Sequence, residues 1–265
     1  MDLPIAEGVP VAYPVLTVRV HALDAPHALD IIQGWIRRGV REYVCALNVH
    51  GVMEADRQPA VSAAYAGAGL VVADGMPLVW AGHLTGHPEV GRVYGPDLTL
   101  AVCAVAAREG WSCYFYGGAE GVADAMAREM QRRFAGLRIA GTHMPSFGHR
   151  SSEEDAEDVG RINGSGASIV FVGLGCPKQE LWMAEHRSRL DPAVLLGVGA
   201  AFDFHTGRVH QAPRWMMRRG LEWAYRLGQE PRRLWYRYLV YNPLFVIRFA
   251  WQLLTTRRSR SHARR

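Results

Sequence analysis

Up to about Thr206, short apolar runs alternate with segments whose apolar residues recur at helical spacing, and that alternation leaves few folds open. Residues 15–20 read as a strand. Residues 25–38 read as a helix with Ala28, Ile31, Ile32 and Trp35 on one stripe, and 42–48 as the next strand, ending in Asn48. Short helices near 52–55 and 60–66 lead to a strand at Val71 and Val72. Further on, helices at 96–108, 122–134 and 151–162, the last with Ser152 as a candidate cap, alternate with strands at 111–116, 137–141, 168–172 and 194–198. The pattern predicts an α/β fold, a mostly parallel sheet with helices on both faces.

Within that fold VVADGMPLVW, from Val71 to Trp80, delivers one carboxylate, Asp74, from the end of an apolar strand into a turn. Gly75 permits a tight backbone after the acid and Pro77 suits a first helical turn, so Asp74 falls at the carboxyl edge of the sheet, where open α/β folds bind ligands. The plainer alternative is that Asp74 caps the helix beginning near Met76.

Two other strand-to-helix turns carry glycine. YGGAEGV leaves backbone amides around Gly118 at a helix start, a seat for phosphate. FVGLGCPKQE sets Gln179 and Glu180 in a first turn, and an amide that both donates and accepts suits sugar hydroxyls or a base edge. Arg92, flanked by Gly91 and Gly95, can clamp a diphosphate bidentately, or it can pair with Asp97. Asp203 in FDFHTG is a second candidate acid, although flanking Phe202 and Phe204 suggest a buried turn. The histidines form no HExxH or related metal pattern, and Cys45, Cys103, Cys113 and Cys176 lack CxxC spacing, so no metal site is expected and the thiols suit a reducing compartment.

The pattern changes in kind at Gly207. Beyond it lie 14 arginines against only Glu222 and Glu230, a surplus of 12, whereas the preceding 206 residues carry 16 basic and 23 acidic side chains. Helices are expected from Pro213 to about Leu227 and from Pro231 to about Leu254, with Trp215, Trp223, Trp235 and Trp251 interleaved among the arginines. The apolar run at 239–254 is shorter than the roughly 20 residues a membrane span needs, and it contains Asn242 and Arg248. Aromatic and cationic residues on one helix suit an anionic membrane surface; the alternative is a basic helix packed on the protein's own body, and the two can coexist, whereas without a helix-turn-helix or zinc pattern nucleic acid is a poor match. The expected organisation is therefore an α/β domain at 1–206, a basic amphipathic appendage at 207–256 and a disordered arginine-rich tail at 257–265. The start, MDLPIAEGVPVAYP, lacks a basic, then apolar, leader, which points to a cytoplasmic protein.

Seven motifs in this order, LNVHGVM at Leu47, ADGMPLVW at Ala73, GRVYGPDL at Gly91, FYGGAEGVA at Phe115, FVGLGCPKQE at Phe171, GVGAAFDFHTGRVHQAP at Gly197 and GLEWAYRLGQEPRRL at Gly220, resemble the WecG/TagA/CpsF family of glycosyltransferases. The resemblance implies a Rossmann-like sheet with a carboxyl-terminal helical membrane-binding appendage. It also implies inverting transfer of a sugar from a UDP-sugar, N-acetylmannosamine-type or glucose, to a polyprenyl-diphosphate-linked sugar at the inner membrane face. The products would be surface polysaccharide or a teichoic-acid linkage unit, and DGMPLVW and RVYGPDL look most like exopolysaccharide-building members.

Carried over, Asp74 matches the proposed general base, Asn48 the sugar-side asparagine, Arg92 the diphosphate-facing arginine and Gln179 an active-site glutamine. Arg226 and Arg233 match the appendage that folds over the site. Ala46 stands where the family commonly has threonine, which bears on the donor. No DxD is present, so transfer without a metal or other cofactor is expected, and a homo-oligomer is compatible with the pattern. The rival classes are a nicotinamide-dependent oxidoreductase, which needs a GxGxxG fingerprint the chain lacks, and a non-catalytic nucleotide-sugar-binding membrane protein.

Overall fold

A computed structural model describes residues 10–146, 148 and 151–262, the last six as backbone only. Residues 1–9 and His149 lie outside the described residues. Two short strands, β1 (Ala12–Val15) and β2 (Val18–His21), form an antiparallel hairpin turning at Leu16, whose φ is 51°. The single strand expected at 15–20 is thus split, because its alternation continues on both sides of a turn that carries no glycine or proline to mark it.

The main sheet has six strands, β3 (Glu42–Leu47), β4 (Leu70–Ala73), β5 (Ser112–Gly117), β6 (Arg138–His143), β7 (Ile169–Gly173) and β8 (Val194–Gly197), ordered β4-β3-β8-β7-β5-β6. Every pairing among them is parallel. Successive side chains of a strand point to opposite faces. Tyr43, Cys45, Leu47, Tyr114, Tyr116, Val170 and Val172 accordingly build the core on one side. Val44, Leu70, Val72, Phe115, Ile169, Phe171 and Leu196 build it on the other.

The covering helices begin with α1 (Ala25–Arg38), capped by the Asp24 side chain accepting from the His27 amide at 3.0 Å. They continue through α2 (Val49–Arg57), α3 (Pro59–Ala66), α4 (Met76–Thr85), α5 (Gly95–Glu109) and α6 (Val122–Arg133). The helix α7 (Ser152–Gly164) starts one residue later than expected. Its cap is Ser151, not Ser152, because only Ser151 completes the reciprocal bonds with Glu154. Next come α8 (Lys178–His186) and α9 (Ala201–His205); Asp203, expected in a buried turn, is a half-buried residue of α9.

The helix expected from Pro213 is two, α10 (Arg214–Arg218) and α11 (Glu222–Gln229), because Gly220 adopts φ of 70° between them. From α12 (Pro231–Trp235) the chain passes through a π-helical turn at Tyr236–Val240 into α13 (Tyr241–His262) without a break. Of the segment 257–265, expected to be disordered, the backbone is helical as far as His262, and 263–265 lie outside the described residues. Tyr241, Phe245 and Phe249 of α13 are buried in the core beneath α2, while Leu239, Val246, Ile247, Trp251 and Leu254 face outward. Two further bonds tie α13 down: Gln252 accepts from the Leu16 amide at 2.8 Å, and the Tyr241 hydroxyl donates to Glu54 at 2.9 Å. Among the described residues no helix is long and apolar enough to cross a membrane.

Candidate active site

The carboxyl ends of β3, β4, β5, β7 and β8 converge on a cavity of about 740 Å³, roofed by Glu222, Arg226, Arg233, Leu234, Tyr236 and Arg237. Close approach of two turns shapes its floor. Gly117, at φ of 113°, packs so tightly on Gly173 that a Cβ there would lie 2.8 Å from the Gly173 carbonyl carbon. Gly118 follows, but its amide donates to the Gly173 carbonyl at 3.0 Å, so the free phosphate donor expected at that amide is already engaged.

Asp74 lies between β4 and α4, and it does not cap α4, whose N-cap is Gly75. Its Oδ1 accepts instead from the Gly95 amide, 2.8 Å away at the start of α5. The carboxylate keeps access to the cavity yet is closely surrounded by protein. That burial drives its pKa up from 3.8 to about 6; Arg92 works against the rise, Glu222 adds to it, and the Gly95 amide and Asn48 side chain oppose it.

Asn48 caps α2, its Oδ1 accepting from the Gly51 amide at 3.3 Å and from Arg237 at 3.2 Å. Gln179 is 4% exposed; its Nε2 donates to Glu180 at 2.9 Å, and its Oε1 has no hydrogen-bond partner within the chain. Glu180 is fully buried behind Gln179 and is not among the residues lining this cavity, so the substrate contact expected of it is not what its position offers. Burial pushes its carboxyl up. The methyl group of Ala46 forms part of the cavity wall.

Arg92 is placed differently from either expectation. Its Nε donates to the Asp74 carbonyl at 2.5 Å and its Nη2 to Glu222 at 2.5 Å, while its guanidinium lies 4.1 Å from the Tyr94 ring centre. The Tyr94 hydroxyl donates to the other Glu222 oxygen at 3.0 Å. Asp97 pairs with Arg214 instead. Arg92 thus joins α11 to the turn carrying Asp74, and its charge is matched before any ligand arrives.

Arg226 and Arg233 both reach the wide cavity, beside Glu230 at 3.8 and 2.7 Å. Arg237, not singled out from the sequence, also faces it; Asn48 is its hydrogen-bond partner, it has no ion pair among the described residues, and its buried Nε is unpartnered. His50, likewise missed, lies beside Arg237, and burial followed by that charge lowers its pKa to about 4, so it is neutral at pH 7. Glu222 had a signal: it is one of two acids in a strongly basic stretch, placed in a first helical turn. Among the described residues no three His, Cys, Asp or Glu side chains are grouped to hold a metal ion.

A parallel α/β sheet with Asp74 enclosed at its carboxyl edge, facing a cavity that glycines wall, arginines roof and Glu54, Asp203 and Glu222 also line, defines a ligand-binding α/β protein. The family follows from the match along its length. The chain belongs to the glycosyl transferase WecG/TagA/CpsF family, whose model covers residues 13–259, and is therefore a glycosyltransferase acting on a nucleotide-sugar donor.

Proposed function

We propose that the chain transfers a hexose or N-acetylhexosamine from a UDP-sugar to a polyprenyl-diphosphate-linked sugar, with inversion, at the cytoplasmic face of the membrane. The single observation that carries this reading is Asp74, a carboxylate with a pKa of about 6 open to a cavity that Arg226, Arg233 and Arg237 also line. A general base is most effective with a pKa near the working pH, and a departing nucleoside diphosphate needs positive charge where it forms.

The acceptor hydroxyl oxygen bonds to the anomeric carbon as its proton passes to Asp74. The bond from that carbon to the diphosphate oxygen breaks, and its electron pair leaves on UDP. Arg237, Arg226 and Arg233 face the leaving diphosphate, so no metal or cofactor enters the scheme. Gln179 Oε1 and the Trp182 indole N–H, both buried and unpartnered at the cavity, suit donor groups. Asn48 orients Asp74 and Arg237. Ala46 leaves the wall without a hydroxyl, which favours glucose or another donor over one that would bond there.

The product chemistry fits exopolysaccharide assembly or a teichoic-acid linkage unit. Incubating the full chain with a panel of UDP-sugars and a polyprenyl-diphosphate sugar, and reading products by mass and anomeric configuration by NMR, tests the proposal. A retained configuration would reject inversion, and no product from any donor would reject the reading.

A further inference from the structure

A second, narrower cavity of about 100 Å³ lies on the far side of Asp74, walled by Met76, Pro77, Met217, Trp223 and Tyr238. Asn48, His50, Asp74, Glu222, Arg226 and Arg237 face both cavities, so these six side chains are the partition between them. Glycine backbone and unpartnered polar atoms line the wide one, whereas in the narrow one the thioethers of Met76 and Met217 and the rings of Trp223 and Tyr238 stand among the charged groups of Asp74, Arg92, Glu222, Arg226 and Arg237.

Apolar surface continues outward from the narrow cavity. Trp223 is 36% exposed and neighbouring Leu221 37%, and on α4 Trp80 and Leu84, one turn apart, are 45% and 58% exposed. Gly220 joins the two elements: a Cβ there would stand 2.7 Å from the Trp80 ring, so α4 and the α10–α11 turn are in direct contact beside the cavity. Trp80 and Leu84 belong to the α/β body and not to α13.

We propose that the narrow cavity is the acceptor subsite: it takes the sugar end of the lipid-linked acceptor, with the first isoprene units lying along Trp80, Leu84, Leu221 and Trp223. The inference rests on the transfer reaction proposed above. An in-line displacement brings the acceptor oxygen to the anomeric carbon from the side opposite the diphosphate, so the base must border two compartments, as Asp74 does. The narrow cavity, about one-seventh the volume of the wide one, is too small for a nucleotide-sugar, which leaves it to the sugar end of the acceptor. Aromatic walls at Trp223 and Tyr238 suit the apolar face of a pyranose ring, and an exposed tryptophan–leucine strip suits an isoprenoid.

The test is photolabelling of the full chain, with UDP present, by a farnesyl-diphosphate-linked N-acetylglucosamine bearing a diazirine on its first isoprene unit, followed by peptide mass spectrometry. Adducts within 76–84 and 217–223 are expected. Adducts confined to α13 or to the walls of the wide cavity, or no adduct at all, overturn the assignment. In the transfer assay Met217→Trp, which fills the cavity, and Trp223→Ala, which removes a wall, should each raise the acceptor KM at least about tenfold while the UDP dissociation constant from calorimetry stays unchanged. An unchanged acceptor KM in both variants, or an equal loss of UDP affinity, contradicts the subsite. Failure of the unmodified chain to transfer from any donor rejects the proposed reaction instead, and the labelling pattern is read independently of turnover.

Discussion

Asp74 is a weaker acid than a free aspartate because protein surrounds it, and that fixes how the enzyme should respond to pH. The base works only unprotonated. With a pKa of about 6, kcat/KM should fall on the acid side below about pH 6, tenfold for each further unit. Glu222 holds that pKa up from close by, so Glu222→Gln should move the acid limb to lower pH while the amide oxygen still accepts from Arg92 or Tyr94. A limb that stays in place in kcat/KM–pH profiles would show that Glu222 does not tune the base. Removing the side chain altogether is harsher. Glu222→Ala leaves Arg92, whose side chain is 17% exposed, without its salt-bridge partner and with only Asp74 as a nearby carboxylate, and should cost about 3 kcal/mol in denaturant unfolding. Asp74 was legible because its turn chemistry is local, whereas the Arg92 pairing spans 130 positions and no spacing rule reaches that far.

At the scale of elements, α13 has two apolar faces doing different things. The inward face is part of the core, so Phe249→Ala, at 6% exposure, should destabilise the chain by about 3–5 kcal/mol in thermal or denaturant unfolding. Changing Ile247 and Trp251, at 67% and 68% exposure, to glutamate should leave stability within about 0.5 kcal/mol yet release the protein from anionic vesicles in co-sedimentation. Persistent sedimentation of that double variant would move the membrane contact elsewhere. The sequence showed that this region is helical and rich in both apolar and basic residues, but that pattern does not say which apolar face meets its own body, since that depends on where α2 lies. The strands were easier: runs such as IVFVG at Ile169–Gly173, buried on both faces, declare a central parallel strand by composition alone. The hairpin at Leu16 and the break at Gly220 were missed for opposite reasons, one lacking any turn residue and the other being a glycine inside an otherwise helical pattern.

Over the whole molecule, the carboxyl-terminal helices are both roof and core. Removing everything beyond Gly207 would strip Tyr241, Phe245 and Phe249 from the interior as well as Arg226, Arg233 and Arg237 from the cavity, so a truncated chain reports on folding as much as on membranes. Point changes separate the two. The surplus of basic charge beyond Gly207 also predicts that vesicle binding weakens with salt as the Debye length falls from about 10 Å at 0.1 M to about 3 Å at 1 M, leaving an apolar remainder. Binding indifferent to salt would contradict an electrostatic share. The central claim, that one carboxylate at the sheet edge takes the acceptor's proton, is tested most directly by Asp74→Asn. The amide oxygen can still accept from Gly95, so fold and UDP affinity should be retained while the rate of sugar transfer falls by about 10²–10⁴. Transfer at the unmodified rate, with UDP bound as before, would contradict it.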